Sequence, residues 1–298
     1  MKTYCDLHTH SVFSDGTDTP RRLMELAAEA ELSAVALCDH NTVAGLPDFL
    51  EAAGDFAVEA VPGVEISTEF AQKELHILAL YVEPCHYEAV TQLLAEGDRR
   101  KEQSNIDLVA ALNDAGYALN YDLIKANTPK GHINRAHIAA EMLRLGYVES
   151  VQAAFQTLLS PKHGLYHPPK RVDAYDAIRF IKSIGAVAVL AHPFLSMDEA
   201  LLRSFLPRAV EAGLDGMEVF YSKYDEKTTA LAQQIAEEYG ILPSGGSDYH
   251  GGNKPDIAMG VGRGNLRIPS AWLAGLKSEN KQKMCSFLGE TMLRYSER

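Results

Sequence analysis

Short apolar runs and helix-spaced apolar stripes alternate along most of the chain. Thr3-Tyr4-Cys5 reads as a short strand close to the N-terminus. Thr17-Asp18-Thr19-Pro20 then places a capping side chain ahead of a proline, the signature of a helix start. Leu23, Met24, Leu26, Ala27 and Ala30 follow at helical spacing. Residues 33–38 form a near-continuous apolar run, as expected of a strand covered on both faces in a parallel sheet. Further strands are predicted over 56–64, with a break at Pro62-Gly63, and over 75–81, 186–191, 216–220 and 241–244. Helical stretches separate the later strands, over 172–183, 198–211 and 226–239. Strands alternating with helices predict an α/β fold built on a parallel sheet or barrel, whose functional groups gather at the carboxyl ends of the strands.

One segment breaks this alternation. From about residue 88 to residue 155 the pattern yields no strand. A long helical stripe runs through Val90, Leu93, Leu94, Leu108, Val109 and Leu112 to a stop at Gly116. Shorter helices follow over 121–126, 133–145 and 149–159, and a Pro/His/Gly-rich stretch closes the segment. We read 101–169 as a small helical insertion in a barrel formed by 1–100 and 170–298. Loops of such a barrel carry function, so the insertion is expected to cap the site.

Composition narrows the classes. With 298 residues and 46% hydrophobic content the chain can bury a large core. A net charge of -12 argues against general binding to a nucleic-acid backbone, which calls for a basic face. A small anionic substrate stays compatible with that charge when cations concentrate at the site. The four cysteines, Cys5, Cys38, Cys85 and Cys285, are scattered and suggest no disulfide framework. No segment reads as a signal peptide or a membrane span, and the expected location is the cytoplasm.

The chemistry lies where strands end. Asp6-Leu7-His8-Thr9-His10-Ser11 carries two histidines at i and i+2, which project from one face of a strand. Asp15 follows in the loop Ser14-Asp15-Gly16-Thr17. His40, Glu65, His76, His192, Asp248 and His250 sit at or near other strand ends, so six of the eleven histidines belong to one set. His76 is the exception in position, near the start of its strand, so that strand must run differently or be longer than its apolar run. A single strand-end imidazole is commonly structural. Six of them interleaved with carboxylates are hard to bury as core residues, because each would need its own partner. Nitrogen and oxygen donors without clustered thiolates suit Zn, Mn or Fe, and nine donors suit two or three ions.

In order along the chain, Asp6-Leu7-His8-Thr9-His10-Ser11 with Asp15-Gly16-Thr17, Asp39-His40-Asn41, Pro62-Gly63-Val64-Glu65, His192-Pro193 and Gly246-Ser247-Asp248-Tyr249-His250 resemble the successive motifs of the polymerase and histidinol phosphatase (PHP) metallophosphoesterases. The resemblance implies a distorted (β/α)7 barrel and a trinuclear centre of divalent ions, three Mn with Zn or Fe as alternatives. Carried over by position, it implies His8, His10, Glu65 and Asp248 around one ion. It places Glu65, His76 and His192 around a second, and Asp15, His40 and His250 around the third. His192, Asp248 and His250 are the implied catalytic candidates.

Within the insertion, Ile133-Asn134-Arg135-Ala136-His137 resembles the start of a helix in the bacterial branch that acts on nucleoside 3',5'-bisphosphates, some of whose members trim short RNAs from the 5' end. Arg135 and His137 match that pattern, while Asn134 and Ala136 replace its glycine and proline. Lys130, His132 and Arg135 at a predicted helix start form a natural phosphate site. With Asn134, His137 and Tyr166 they are the substrate-binding candidates. The implied reaction removes the 3'-phosphate of a small anionic nucleotide and leaves an AMP-like nucleoside 5'-monophosphate. Short 5'-phosphorylated RNA or DNA oligonucleotides are further expected substrates, with no membrane and no obligate protein partner. Histidinol phosphate hydrolysis is the alternative within the family, but it calls for an acidic group toward the substrate ammonium. An amidohydrolase-type reaction is disfavoured by the absence of a strand-end lysine. A metal-binding module without turnover is the remaining reading.

Overall fold

The structure is a computed structural model that describes residues 3–128 and 133–278. Seven strands form the main circuit. In spatial order they are β8 (Leu242–Gly246), β7 (Gly216–Tyr221), β6 (Val187–Ala191), β4 (Lys73–Leu80), β3 (Glu59–Phe70), β2 (Ala34–Leu37) and β1 (Tyr4–Thr9). The two-residue β9 (Ile268–Pro269) pairs with β1, and β5 (Val172–Asp173) pairs with β3. The ends of the series meet: Asp248 N donates to His8 O at 2.9 Å and His10 N donates to Tyr249 O at 2.9 Å. A parallel bridge between Thr9 and Tyr249 completes the nearly closed barrel.

The expected parallel order holds with one reversal. β4 runs antiparallel to both β3 and β6, pairing His76 with Ser67 on one side and with Ala191 on the other. β3 also runs unbroken through Pro62-Gly63, where the sequence predicted an interruption. It turns directly into β4, so no helix separates the two strands. This reversal distorts an otherwise regular barrel, and it accounts for His76. The start of β4 lies at the end of the barrel where its neighbours finish.

α1 (Pro20–Glu29) begins where Thr19 accepts a hydrogen bond from Arg22 N, as its sequence implied. α2 (Leu46–Ala53) was not evident in the apolar pattern. α7 (Ala174–Ser183), α8 (Glu199–Ala212) and α9 (Glu226–Glu238) start at Asp173, Asp198 and Asp225, each of which caps the first turn through its carboxylate.

Strand alternation sorts the side chains. Cys5 and Leu7, Ala34, Ala36 and Cys38, Val61, Leu78 and Leu80, and Val187, Val189 and Ala191 meet in one apolar cluster. Strands around the circuit can meet this way only through the barrel interior. The same alternation carries β2 on to His40, β3 to Glu65 and β4 back to His76. An apolar floor thus supports a layer of ionisable groups. On β1 the register slips between Asp6 and Thr9, so Leu7 joins the floor while His8 and His10 reach the layer above.

The described residues divide into two compact units, one made of those up to Gln92 and from Val172 onward, the other of those within Leu93–Arg171. α3 (Tyr87–Asp114) starts in the first and continues into the second. The second unit adds α4 (Tyr121–Ala126), α5 (Arg135–Arg144) and α6 (Val151–Thr157), and among the described residues it contains no strand. Its core is formed by Leu108, Leu112, Ile138, Met142, Ala154 and Leu159, with Tyr166 buried among them. No helix among the described residues is long and apolar enough to cross a membrane.

Candidate active site

Glu65 is the centre of the site. It is fully buried on β3, and five imidazoles surround it. Its Oε2 lies 3.1 Å from His8 Nε2, 3.3 Å from His10 Nε2 and 3.0 Å from His40 Nδ1. Its Oε1 lies 2.7 Å from His76 Nδ1 and 3.0 Å from His192 Nε2. The five rings form a closed circle, His10–His40–His76–His192–His8, with adjacent centroids 4.5 to 5.6 Å apart. Asp248 Oδ1 approaches from the far side, 3.2 Å from His10 Nε2 and 3.4 Å from His250 Nδ1. Asp15 completes the group at the exposed edge, with Oδ1 3.1 Å from His250 Nε2. All nine residues singled out as metal ligands therefore fall in one cluster.

Backbone conformation helps to aim them. His192 (φ 28) and Asp248 (φ 56) occupy the left-handed region that side chains seldom adopt, as does Asn41 (φ 52) beside His40. Such strain persists where surrounding contacts hold it, commonly at functional sites. Asp39 does part of that holding: its carboxylate accepts from Ser11 N, Ser11 Oγ and Ser14 Oγ, fixing the loop that carries Asp15. His250 donates from Nδ1 to the Asp248 carbonyl at 2.8 Å, so its Nε2 faces Asp15. Asp248 Oδ2 accepts from Tyr221 at 2.8 Å and from Lys254 at 2.6 Å, which leaves Oδ1 for the cluster.

The donor set fits divalent cations. His8 Nε2, both nitrogens of His10 and Glu65 Oε2 are buried without a properly directed hydrogen bond. Buried polar atoms without partners are costly. Yet His8 Nε2 and His10 Nε2 lie 3.1 and 3.3 Å from Glu65 Oε2. That spacing is about the edge of a coordination tetrahedron with bonds near 2.0–2.1 Å. Among the described residues the ligand atoms fall into overlapping groups, including His10/Asp15/His40/His250, His8/His10/Glu65 and His40/Glu65/His76.

Protons stand in for part of that cationic charge. Burial disfavours the charged form of His76, but the Glu65 carboxylate outweighs it and pushes the pKa up to about 10. For His40 burial prevails, bringing the pKa down to about 4. Burial likewise opposes ionisation of Glu65, yet His8, His40 and His76 hold its carboxyl well below the usual range. Below about pH 10 His76 therefore carries a proton that a cation must displace. Divalent-cation affinity is thus expected to rise with pH up to about 10, by roughly tenfold per pH unit for each proton released. Calorimetric titration in buffers of different ionisation heat measures that release. Affinity that does not change between about pH 6 and 8 would contradict it.

One buried carboxylate in the site escaped the sequence reading. Glu218, on β7, is fully buried and contacts His8 and His192. Its signal was a charge inside the apolar run Gly216-Met217-Glu218-Val219-Phe220, since an ionised group is seldom buried without partners.

In the second unit, Asn134 caps α5, accepting from Ala136 N and His137 N, and its own N–H donates to His137 Nδ1. These two candidates therefore form a capping box. Arg135 donates to Leu159 O at 3.0 Å and lies 4.2 Å over the Tyr166 ring. Tyr166 is buried beneath it. Lys130 and His132 lie outside the described residues.

Residues 6–163 match the family model of the PHP domain. A 5'-3' exoribonuclease of Haemophilus influenzae is 31% identical over 82% of this chain and 89% of its own length. A phosphoribosyl 1,2-cyclic phosphate 1,2-diphosphodiesterase of Eggerthella lenta is 31% identical over 86% of this chain and 98% of its own. A 3',5'-nucleoside bisphosphate phosphatase of Chromobacterium violaceum is 29% identical over 82% and 86%. Among solved structures, a Bifidobacterium adolescentis protein assigned to the metal-dependent phosphoesterases superposes with a TM-score of 0.70 at 27% identity, covering 91% of this chain and 94% of its own. With more than half its length matched to the family model and relatives of this likeness spanning most of both chains, the chain belongs to the PHP domain family.

Proposed function

We propose that this chain is a metal-dependent phosphoesterase that removes the 3'-phosphate of nucleoside 3',5'-bisphosphates, giving a nucleoside 5'-monophosphate and phosphate. Short 5'-phosphorylated oligonucleotides are further substrates in this reading. The observation that carries it is the circle of five imidazoles around Glu65, extended by Asp248, His250 and Asp15. The names of the Haemophilus and Chromobacterium relatives support the nucleotide class.

Three divalent ions, Mn2+ in this reading, would be held by His8, His10, Glu65 and Asp248, by Glu65, His76 and His192, and by Asp15, His40 and His250. Bound there, they would neutralise phosphoryl charge and acidify a water. The side chains supply the rest. Glu65 and Asp248 hold the negative charge that draws cations into a buried pocket. Asp248 is kept in place by Tyr221 and Lys254, with His250 beside it, and in this reading His192 and His250 are the candidates to protonate the leaving oxygen.

Arg135 supplies the cation for the second phosphate, for which a guanidinium offers a bidentate fork. Arg135→Ala is expected to lower kcat/KM for a 3',5'-bisphosphate by roughly 10- to 100-fold, the worth of a charged hydrogen bond. A simple phosphomonoester should change by less than about twofold, since it lacks the second phosphate. Equal losses on both would remove Arg135 from the substrate site.

A second reading follows from the Eggerthella relative, of which this chain covers 98%. The same cluster could open a cyclic phosphodiester of a phosphorylated sugar. Side-by-side assay of a nucleoside 3',5'-bisphosphate, phosphoribosyl 1,2-cyclic phosphate and histidinol phosphate, each with added Mn2+, decides among them. Preference for the bisphosphate is the expected result, and preference for either of the others overturns the substrate assignment.

A further inference from the structure

Glu218 sits in the middle of β7 with no exposed surface, and neither of its oxygens is idle. Oε1 lies 2.9 Å from His8 Nδ1, and Oε2 accepts from the His192 backbone N–H at 2.7 Å. A carboxylate only accepts, so the contact with Oε1 places the proton of His8 on Nδ1. That leaves the Nε2 lone pair of His8 aimed at the cluster, 3.1 Å from Glu65 Oε2, where it has no hydrogen-bonding partner. The contact with Oε2 pins a backbone amide at φ 28, a conformation that costs energy unless something holds it. The turn it holds brings His192 Nε2 within 3.0 Å of Glu65 Oε1.

We infer that Glu218 is a positioning residue for the metal centre: it fixes the tautomer of His8 and the backbone turn of His192, and so aims two imidazoles from different strands at Glu65. This rests on the metal reading above. Glu218 also comes near enough to His8 and His192 to form a candidate ligand group of its own. A positioning role is the better reading, because both of its oxygens already have partners, while the unpartnered imidazole and carboxylate atoms among the described residues belong to His8, His10 and Glu65. Carboxylates and carbonyls that hold the second nitrogen of a ligating histidine commonly set its orientation and basicity.

The decisive variant is Glu218→Gln. Glutamine has the same shape, but it turns one acceptor into an NH2 donor, so one of the two N–H groups must face another donor. Mn2+ binding, read by calorimetry and by metal content per chain, is expected to weaken by roughly 10- to 100-fold, with the circular dichroism of the metal-free protein unchanged. The second measurement needs no variant. In Zn2+-loaded wild type with 15N-labelled histidine, His8 should be ligated through Nε2 and carry its proton on Nδ1. Glu218→Gln that binds Mn2+ as the wild type does overturns the inference, as does His8 ligated through Nδ1. If the wild type itself binds no Mn2+, the metal reading falls and takes this inference with it. Tight binding by the wild type together with an indifferent variant defeats this inference alone. Should the variant not fold, the histidine spectrum of the wild type decides.

Discussion

Glu65→Gln is expected to lower phosphate release by roughly 10³-fold or more and to abolish the proposed binding of Mn2+. Among the described residues Glu65 is the one group within 3.3 Å of five imidazoles, and its two oxygens divide them, three on one side and two on the other. The amide keeps the size and loses the charge. Among the described residues no other carboxylate touches all five rings, so the loss would fall on every ion that shares Glu65 in the proposed centre. Charge stabilisation of a phosphoryl transition state by such ions is worth several kcal/mol, and about 4 kcal/mol corresponds to roughly 10³ in rate. Steady-state phosphate release alongside metal content per chain measures both effects. A variant that keeps its Mn2+ and loses less than about tenfold in rate would show that Glu65 is peripheral.

Gly246→Ala is expected to be the most damaging single-methyl change near the site. A Cβ at residue 246 would lie 2.1 Å from His8 Cβ, 2.7 Å from His8 N and 2.9 Å from His8 Cα. These are backbone or near-backbone atoms and cannot swing aside. The methyl would push β8 off β1 where Asp248 N meets His8 O and Ser247 N meets Asp6 Oδ1. Overpacking of this kind costs about 3 kcal/mol, or roughly 5–10 °C in Tm. Because the displaced residue is His8, Mn2+ affinity should fall together with stability. Gly97→Ala is the contrast: it lies within α3 with nothing inside 4 Å of an added Cβ. Relieving a glycine in a helix should leave stability unchanged or raise it by about 0.5–1 kcal/mol. Thermal melts of the two variants compare them, and a harmless Gly246→Ala would mean that β1 and β8 are not packed this closely.

Much of this architecture was legible in the chain because its signals are local. Apolar runs ending in His40, His192 and Asp248 marked strands whose ends carry polar groups, and alternation on β2 and β3 places His40 and Glu65 over the apolar floor. His76 looked misplaced only while every strand was taken as parallel. The direction of β4 is set by the hairpin that joins it to β3, and an apolar run has no direction of its own. Pro62-Gly63 looked like a break, but β3 runs through it. Glu218 was hidden because its partners, His8 and the His192 amide, lie 210 and 26 residues away. No local pattern predicts that pairing, although a carboxylate in a buried run asks for one. Asn134 and His137 were read for charge and phosphate. The structure gives their three-residue spacing a use of its own, satisfying the first N–H groups of α5.

The most direct test is phosphate release from a nucleoside 3',5'-bisphosphate by protein stripped with chelator and then titrated with Mn2+. The expected result is no release from the stripped protein and recovery that saturates as the cluster fills, with Glu65→Gln failing to recover. Equal release before and after stripping would contradict the central claim that these imidazoles and carboxylates work by holding cations.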